Sequence, residues 1–269
     1  MQKLLFSATL TKNPQKIAML QLNAPIFFTS STTGQYVTPM TLKAYMTVCT
    51  LENKPLVLLH LLKTRNFTKV LCFTASVEST HRLYRLLELF GEVSVAEYSS
   101  TLPPAKRTAI LADFRNGRTT MIICSDGMAR GLDIDDVDNV VNYDVPVYVR
   151  TFIHRVGRTA RAGREGHTYT LLTSPEVHHF KELLTKTDIS TRTKKLPVEA
   201  DALQPYIPKF TIVLERLKDV LEKEKLGHQS SMHRLGATAM NLPAKEDKEQ
   251  VRVSMLRAGL VANLEHAIR

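Results

Sequence analysis

The sequence has no run of apolar residues long enough to cross a membrane, no tryptophan and only three cysteines. Its longest nearly apolar run, PLVLLHLL at Pro55–Leu62, is far shorter than the roughly 18 to 20 residues that span a bilayer. Cys49, Cys72 and Cys124 lie far apart, and no two have the spacing of a zinc site or a redox pair. We therefore expect no membrane segment, no metal site, and reduced cysteines that pack as small apolar residues.

Size and charge set broad limits on the function. The 269 residues, 43% of them hydrophobic, are enough for one large domain or two small ones. A formal net charge of +10 is consistent with a polyanionic partner. The basic residues are spread along the chain, however, so a solvated basic surface explains the excess equally well.

The middle of the chain alternates between β-rich runs and helical patterns. The β-rich runs are KVLCFT, VSVAEYSS, TTMIICSD, VDNVVNYDVP and GHTYTLLTS. Between and after them, apolar residues recur at helical spacing in STHRLYRLLELFG, PPAKRTAILADFRNG, a stretch from about Val147, and Pro175–Thr187. Such alternation predicts βαβ units and a parallel sheet with helices on both faces. Farther along, Thr211–Leu226 has the pattern of an amphipathic helix.

The predicted strands end in segments rich in hydroxyl groups. These ends read FTAS, YSST, SDGMARG and YDVP. Parallel sheets bind ligands beyond the carboxyl ends of their strands, and hydroxyls with a nearby basic residue suit phosphate groups. Strand-to-helix turns favour the same residue types for conformational reasons, so any single end carries little information.

The stretch HRVGRTARAGREG, beginning at His154, concentrates basic residues. On a continuous helix, His154, Arg155, Arg158 and Arg161 would lie along one side. Gly157 removes a side chain from that side, which indicates a close approach there. Arginines bind phosphate oxygens with forked geometry, so the array predicts a polyphosphate site. The alternative is a solvated basic helix face.

These motifs resemble those of the DEAD-box RNA helicases. HRVGRTARAGREG resembles the sixth motif of that family, SAT at residues 7–9 the third, VLCFT the fourth and SDGMARGLDI the fifth, while KRTAILADFRNG resembles an RNA-contacting segment. The likeness runs from about residue 3 to 187. It implies an α/β fold: a RecA-like helicase C-terminal domain with a parallel sheet, followed by a partly helical C-terminal extension. RTFIHRVGRTARAG and VVNYDVP are similar to the subgroup that acts in assembly of the large ribosomal subunit.

The resemblance implies an ATP site shared with a second domain. Arg158 and Arg161 would reach the terminal phosphates of ATP and act as arginine fingers. Asp133 would bind the ribose, and His154 and Arg155 would link their helix to the third motif across a domain gap. The other nucleotide-site residues implied by the motifs are Arg130, Gly131, Ser7 and Thr9.

The resemblance also implies contacts with the RNA backbone. The positions that match the family's RNA contacts are Thr74, Arg107, Gly117 and Ser125. The family usually has threonine where Ser125 stands, and the serine keeps the hydroxyl. Contacts to the backbone carry no base specificity.

No GxxxxGK[ST] loop and no Asp-Glu-Ala-Asp sequence occur in the 269 residues. Those elements would hold the phosphates and Mg²⁺ of ATP, so we expect a missing first RecA-like domain to bind both and this chain alone to be inactive. Residues 1–24 would be a remnant of that domain, 25–41 a linker, 42–188 the RecA-like domain and 189–269 the extension. The expected activity is ATP-dependent RNA unwinding in the nucleolus of the nucleus, on a ribosomal RNA precursor. The alternative is a non-catalytic RNA-binding or regulatory module.

Overall fold

The structure is a computed structural model, and it describes residues 3–4, 19, 21–22, 24–26, 28, 36–129, 134 and 137–240. The chain divides into two compact units, Met1–Lys218 and Asp219–Arg269. The sheet and all of its covering helices described below belong to the first unit. None of the described helices is both long and apolar enough to span a membrane.

Seven strands form one sheet in the described part of the chain. They are β1 (Leu42–Val48), β2 (Val70–Thr74), β3 (Val95–Tyr98), β4 (Met121–Ser125), β5 (Asn139–Asn142), β6 (Gly166–Leu172) and β7 (Thr193–Lys195). All neighbouring strands are parallel, in the order β3-β4-β2-β5-β6-β1-β7. The predicted parallel α/β sheet is confirmed.

Helices connect the strands across both faces. They are α1 (Lys54–Thr64), α2 (Val77–Phe90), α3 (Pro104–Arg115), α4 (Asp126–Ala129), α5 (Val149–Val156), α6 (Glu176–Thr185) and α7 (Ile207–Met240), with short 3₁₀ helices at Ser190–Arg192 and Ala200–Tyr206. Local sequence explains their limits. The Ser76 side chain accepts a hydrogen bond from the backbone N–H of Ser79 at the start of α2, and Gly91 ends that helix at φ 70°.

One face of the sheet packs under α3, α5 and α6. Leu71 and Phe73 of β2 pack with Phe114 of α3, and Ala44 of β1 packs with Phe152 of α5. The alternate residues of the same strands point to the opposite face, which α1 and α2 cover. There the Thr74 hydroxyl is 2.6 Å from the Thr80 hydroxyl of α2. The central strands are therefore buried on both sides, as parallel strands require.

The first and last strands lie outside the predicted elements. The prediction named neither β1 nor α1. In α1, the segment PLVLLHLL is apolar along nearly its whole length, so it shows no clear helical period. β7 pairs with β1 and lies beyond residue 188, where we expected the domain to end. The last helix begins at Ile207 and runs to Met240, so it is longer than the predicted Thr211–Leu226.

Candidate functional site

Helix α5 ends at Val156, so the prediction of one helical side holding four basic residues is wrong. Beyond Gly157, Ala160, Ala162 and Gly163 all have left-handed backbone angles, with φ of 56°, 51° and 77°. Residues with left-handed backbone angles turn the chain and cannot continue a right-handed helix. Residues 157–165 therefore form a loop, which we call the arginine loop.

The arginine loop lies at the edge of the sheet where the strands begin. It runs from the end of α5 to Gly166, the first residue of β6. The Thr159 hydroxyl donates to the carbonyl oxygens of Val137 (2.6 Å) and Asp138 (3.0 Å), just before β5. A Cβ on Gly166 would overlap the backbone nitrogen of Ala160. Glycine at this position is what lets the loop lie against the first residue of the strand.

Three arginines of this loop line one small pocket. Arg158, Arg161 and Arg164 share a cavity of about 160 Å³ with a single carboxylate, Glu165; the other lining residues are Val137, Thr159, Ala160 and Ala162. Partial burial and the nearby charge of Arg161 lower the pKa of Arg158 below its usual value. Like charges gathered in a partly buried pocket are stabilised by an anion. The charge of the pocket is compatible with a phosphate group, and the contact of Arg158 and Arg161 with phosphate stays a prediction.

Arg155 is directed away from this pocket. Its side chain is only 2% exposed, and its Nε and Nη2 donate to the two carboxylate oxygens of Asp126 at 2.6 and 2.8 Å. Nη1 donates to the carbonyl of Asp144 at 2.6 Å and to the Asn142 side chain at 3.3 Å. Buried in this way, Arg155 ties α5 to the ends of β4 and β5. Its link across a domain gap stays a prediction. His154, the next residue toward the helix start, is exposed.

A second buried cation supports the same region. Lys54, with a side chain 2% exposed, lies 3.8 Å from the Asp144 carboxylate and 3.6 Å from that of Glu176. The other Asp144 oxygen accepts a hydrogen bond from the backbone N–H of Ala75 at 2.8 Å. Lys54 and Asp144 together thus join α1, α6 and the turn after β2 to α5, the helix that leads into the arginine loop.

The predicted RNA contacts lie at two different edges of the sheet. Ser125 is the last residue of β4 and is partly exposed, and Arg107 is in the first turn of α3, near the same carboxyl edge. Gly117 follows the far end of α3, about 15 Å away at a rise of roughly 1.5 Å per residue. Thr74 is 0% exposed, so in this conformation it offers no surface for RNA.

Sequence reasoning missed the partners that hold Arg155. Asp126 follows Ser125 directly in SDGMARG, so its place at a strand end was a usable signal. Nothing in the sequence marked Lys54 as a buried partner of Asp144, because the two are far apart in the chain. The predictions for Ser7, Thr9, Arg130, Gly131 and Asp133 fall outside the described residues. Among the residues described, no three His, Cys, Asp or Glu side chains are grouped to hold a metal.

Comparison with known proteins shows the family. The model of the helicase conserved C-terminal domain matches residues 53–163. Human ATP-dependent RNA helicase DDX51 is 40% identical over 238 residues, which cover 84% of this chain and 36% of that protein. The chain thus spans well under half the length of this relative.

Solved structures agree with this match. The DEAD-box protein SrmB of E. coli is 31% identical, with a TM-score of 0.50, over 60% of this chain and 92% of that one. S. cerevisiae Dbp5, solved bound to RNA and ADP BeF3, is 27% identical, with a TM-score of 0.61, over 79% of this chain and 54% of that one. The chain therefore belongs to the DEAD-box RNA helicases, of the same type as DDX51, and carries their helicase C-terminal domain.

Proposed function

We propose that this chain forms the C-terminal half of an ATP-dependent RNA helicase. In this proposal a preceding RecA-like domain holds ATP and Mg²⁺, and the arginine loop closes over the terminal phosphates. The observation that carries the proposal is the pocket shared by Arg158, Arg161 and Arg164. Three guanidinium groups line the pocket beside Glu165, and Arg164 also lies 3.8 Å from the Asp138 carboxylate, which leaves a net positive charge that an incoming phosphate would neutralise.

The arginines would act on charge that develops during phosphoryl transfer. Guanidinium groups stay charged at any working pH and match phosphate oxygens with two parallel hydrogen bonds. Such arginine fingers contribute about 10³ to 10⁵ in rate. Arg158 and Arg161 carry this role in the proposal, and Arg155 positions α5, the helix that leads into the arginine loop, through Asp126.

The carboxyl edge would hold the RNA backbone. Ser125 and Arg107 offer a hydroxyl and a guanidinium on this edge, which lies opposite the arginine loop. The solved Dbp5 structure contains RNA, and its likeness to this chain supports an RNA ligand here. We further propose ribosomal RNA precursor as the substrate and the nucleolus as the location, on the strength of the likeness to DDX51.

Substitution of Arg158 in the full-length protein tests the catalytic role. Arg158→Ala should lower ATP hydrolysis by about 10³-fold or more, while RNA affinity stays within about twofold, because the residue stabilises only the reacting phosphate. Arg118→Ala is the matched control, since Arg118 is exposed and pairs with Asp113 outside the pocket. Equal losses of hydrolysis and RNA binding in Arg158→Ala would contradict the assignment.

The second candidate is a non-catalytic RNA-binding or regulatory module. It is favoured by the carboxyl edge, whose phosphate-binding groups all come from this chain, whereas the arginine pocket needs a nucleotide held elsewhere. Full-length protein that binds RNA but hydrolyses no ATP would establish this candidate. In either case RNA affinity should fall with salt, with a log-log slope of about −0.7 per phosphate neutralised.

A further inference from the structure

Three aromatic rings stand side by side on the sheet face that α1 covers only in part. Tyr169 of β6 packs against Phe67, with ring centroids 4.7 Å apart, and Tyr45 of β1 stacks on Tyr169 at 5.0 Å and an interplanar angle of 13°. His167, at the start of β6, lies 6.3 Å from Tyr45 and is inclined to it by 19°. We call Tyr45, His167 and Tyr169 the aromatic strip.

Within the strip, Tyr45 and His167 are more exposed to solvent than Tyr169. Phe67 and Tyr169 are 7% and 4% exposed, whereas Tyr45 is partly exposed and the His167 side chain is 30% exposed. Burial lowers the pKa of His167 below its usual value, which favours the neutral ring. Phe67, which lies beside the strip, and Tyr169, the inner ring of the strip, are buried. The two outer rings keep surface in contact with water.

Cations surround the exposed rings. Lys194 of β7 is the register partner of Tyr45, so their side chains lie on the same face, and it is exposed. Lys43 is the register partner of His167 and is 52% exposed, and the exposed Arg65 lies close enough to lower the pKa of His167. Two carboxylates stand against these three cations: Glu165 pairs with Lys43 at 2.6 Å and lies 3.2 Å from His167, and Asp138 is close enough to act on the pKa of His167. The rim therefore has a net positive charge.

Packing alone does not account for this arrangement. An aromatic cluster that only completes a core is ordinarily covered by apolar side chains, but here the outer rings are bordered by Lys43, Lys194 and Arg65. Aromatic rings on a sheet surface with basic residues around them are the means by which sheet proteins bind unpaired nucleotides. The aromatic rings stack on the faces of the bases, and the cations bind the phosphate backbone.

We propose that the aromatic strip binds single-stranded RNA, with a base stacked on Tyr45 and the adjoining phosphates at Lys194 and Arg65. This site is separate from the carboxyl edge, because His167 and Lys43 lie where their strands begin. It goes beyond the proposed helicase function, since it requires neither ATP nor a second domain. It would hold the unpaired part of a substrate.

The absence of tryptophan from the sequence makes a direct test possible. The Tyr45→Trp variant of the 269-residue chain carries a single indole, which a stacked base quenches. We expect saturable quenching by a single-stranded oligouridylate and little by an abasic oligomer of equal length, which has the phosphates without the bases. Tyr84→Trp, on the outer surface of α2, is the matched control and should show no quenching.

Affinity measurements complete the test. By fluorescence anisotropy, Tyr45→Leu should weaken oligouridylate binding about tenfold, and Tyr45→Phe, which keeps the ring, should bind like the wild type. If the chain binds the oligomer while the Tyr45→Trp emission stays constant, the proposal is overturned and RNA binding at the carboxyl edge survives. If binding persists in Tyr45→Leu but is lost in Arg107→Ala, the aromatic strip is likewise excluded. If the wild-type chain binds no oligomer, the aromatic strip and the carboxyl edge both fail as RNA sites.

Discussion

Replacing Arg155 by methionine tests whether this residue holds the domain together. The side chain is 2% exposed and donates two hydrogen bonds to Asp126, one to the Asp144 carbonyl and one to Asn142. Removing one partner of a buried ion pair costs about 3 to 5 kcal/mol of unfolding free energy. Because the Asp126 side chain is 34% exposed, water can partly replace the hydrogen bonds that it loses. We therefore expect a loss of unfolding free energy at the lower end of this range, about 3 kcal/mol.

Urea unfolding of the 269-residue chain, with thermal unfolding beside it, measures this loss. A change of about 3 kcal/mol corresponds to roughly 6 to 12 °C in Tm for a domain of this size. Arg155→Lys should lose less, because it keeps the charge but not the two-pronged geometry. Arg118→Met removes an ion pair with Asp113 whose side chains are 68% and 44% exposed, and should cost less than about 1 kcal/mol. If Arg155→Met costs no more than this control, Arg155 is not the buried tie that we describe.

Two further predictions concern packing and pH. Gly166→Ala should destabilise the chain by about 1 to 3 kcal/mol, because its Cβ would overlap backbone atoms of Ala160; an unchanged urea midpoint would show that the arginine loop does not rest on β6. Hydrogen bonds from Lys63 and Lys209 lower the pKa of Glu92 below its usual 4.5, so the stability it contributes is present at neutral pH and lost as pH falls below about 4.5. Urea midpoints of wild type and Glu92→Gln should therefore differ at pH 7 and converge as pH falls below 4.5, and a gap that is constant with pH would count against this pair of contacts.

The sequence was most informative where local patterns and tertiary structure agree. Helix α2 has a capping serine, helical spacing of its apolar residues and a terminal glycine; its end before Gly91 matches the prediction, and it begins at Val77, two residues before the predicted stretch. Strand β2 is a short β-rich run that is buried along its whole length. In each case nearest neighbours in the chain decide the conformation, so the prediction needed no knowledge of distant contacts.

The prediction failed where distant parts of the chain decide the structure. The direction in which each basic residue of this stretch points depends on where α5 ends. The helix ends at Val156, and the left-handed backbone at Ala160 and Ala162 then keeps the chain from continuing as a helix, which alanine residues do not predict. β7 is a strand because β1 lies beside it, not because of its own residues, Thr193–Lys195. The Lys54 pairs join segments about 90 and 120 residues apart, beyond the reach of local patterns.

Strand β7 also protects the sheet against self-association. It hydrogen-bonds along the outer side of β1 at the level of Ala44, Tyr45 and Met46, and the Leu196 N–H extends the contact to the Met46 carbonyl. A chain cut at residue 188 would leave these backbone groups of β1 bare, and a bare parallel edge is a template on which another copy can pair. With β7 in place, the sheet ends instead in a strand of only three residues, two of them lysine, and such a short, charged edge is a poor template for pairing.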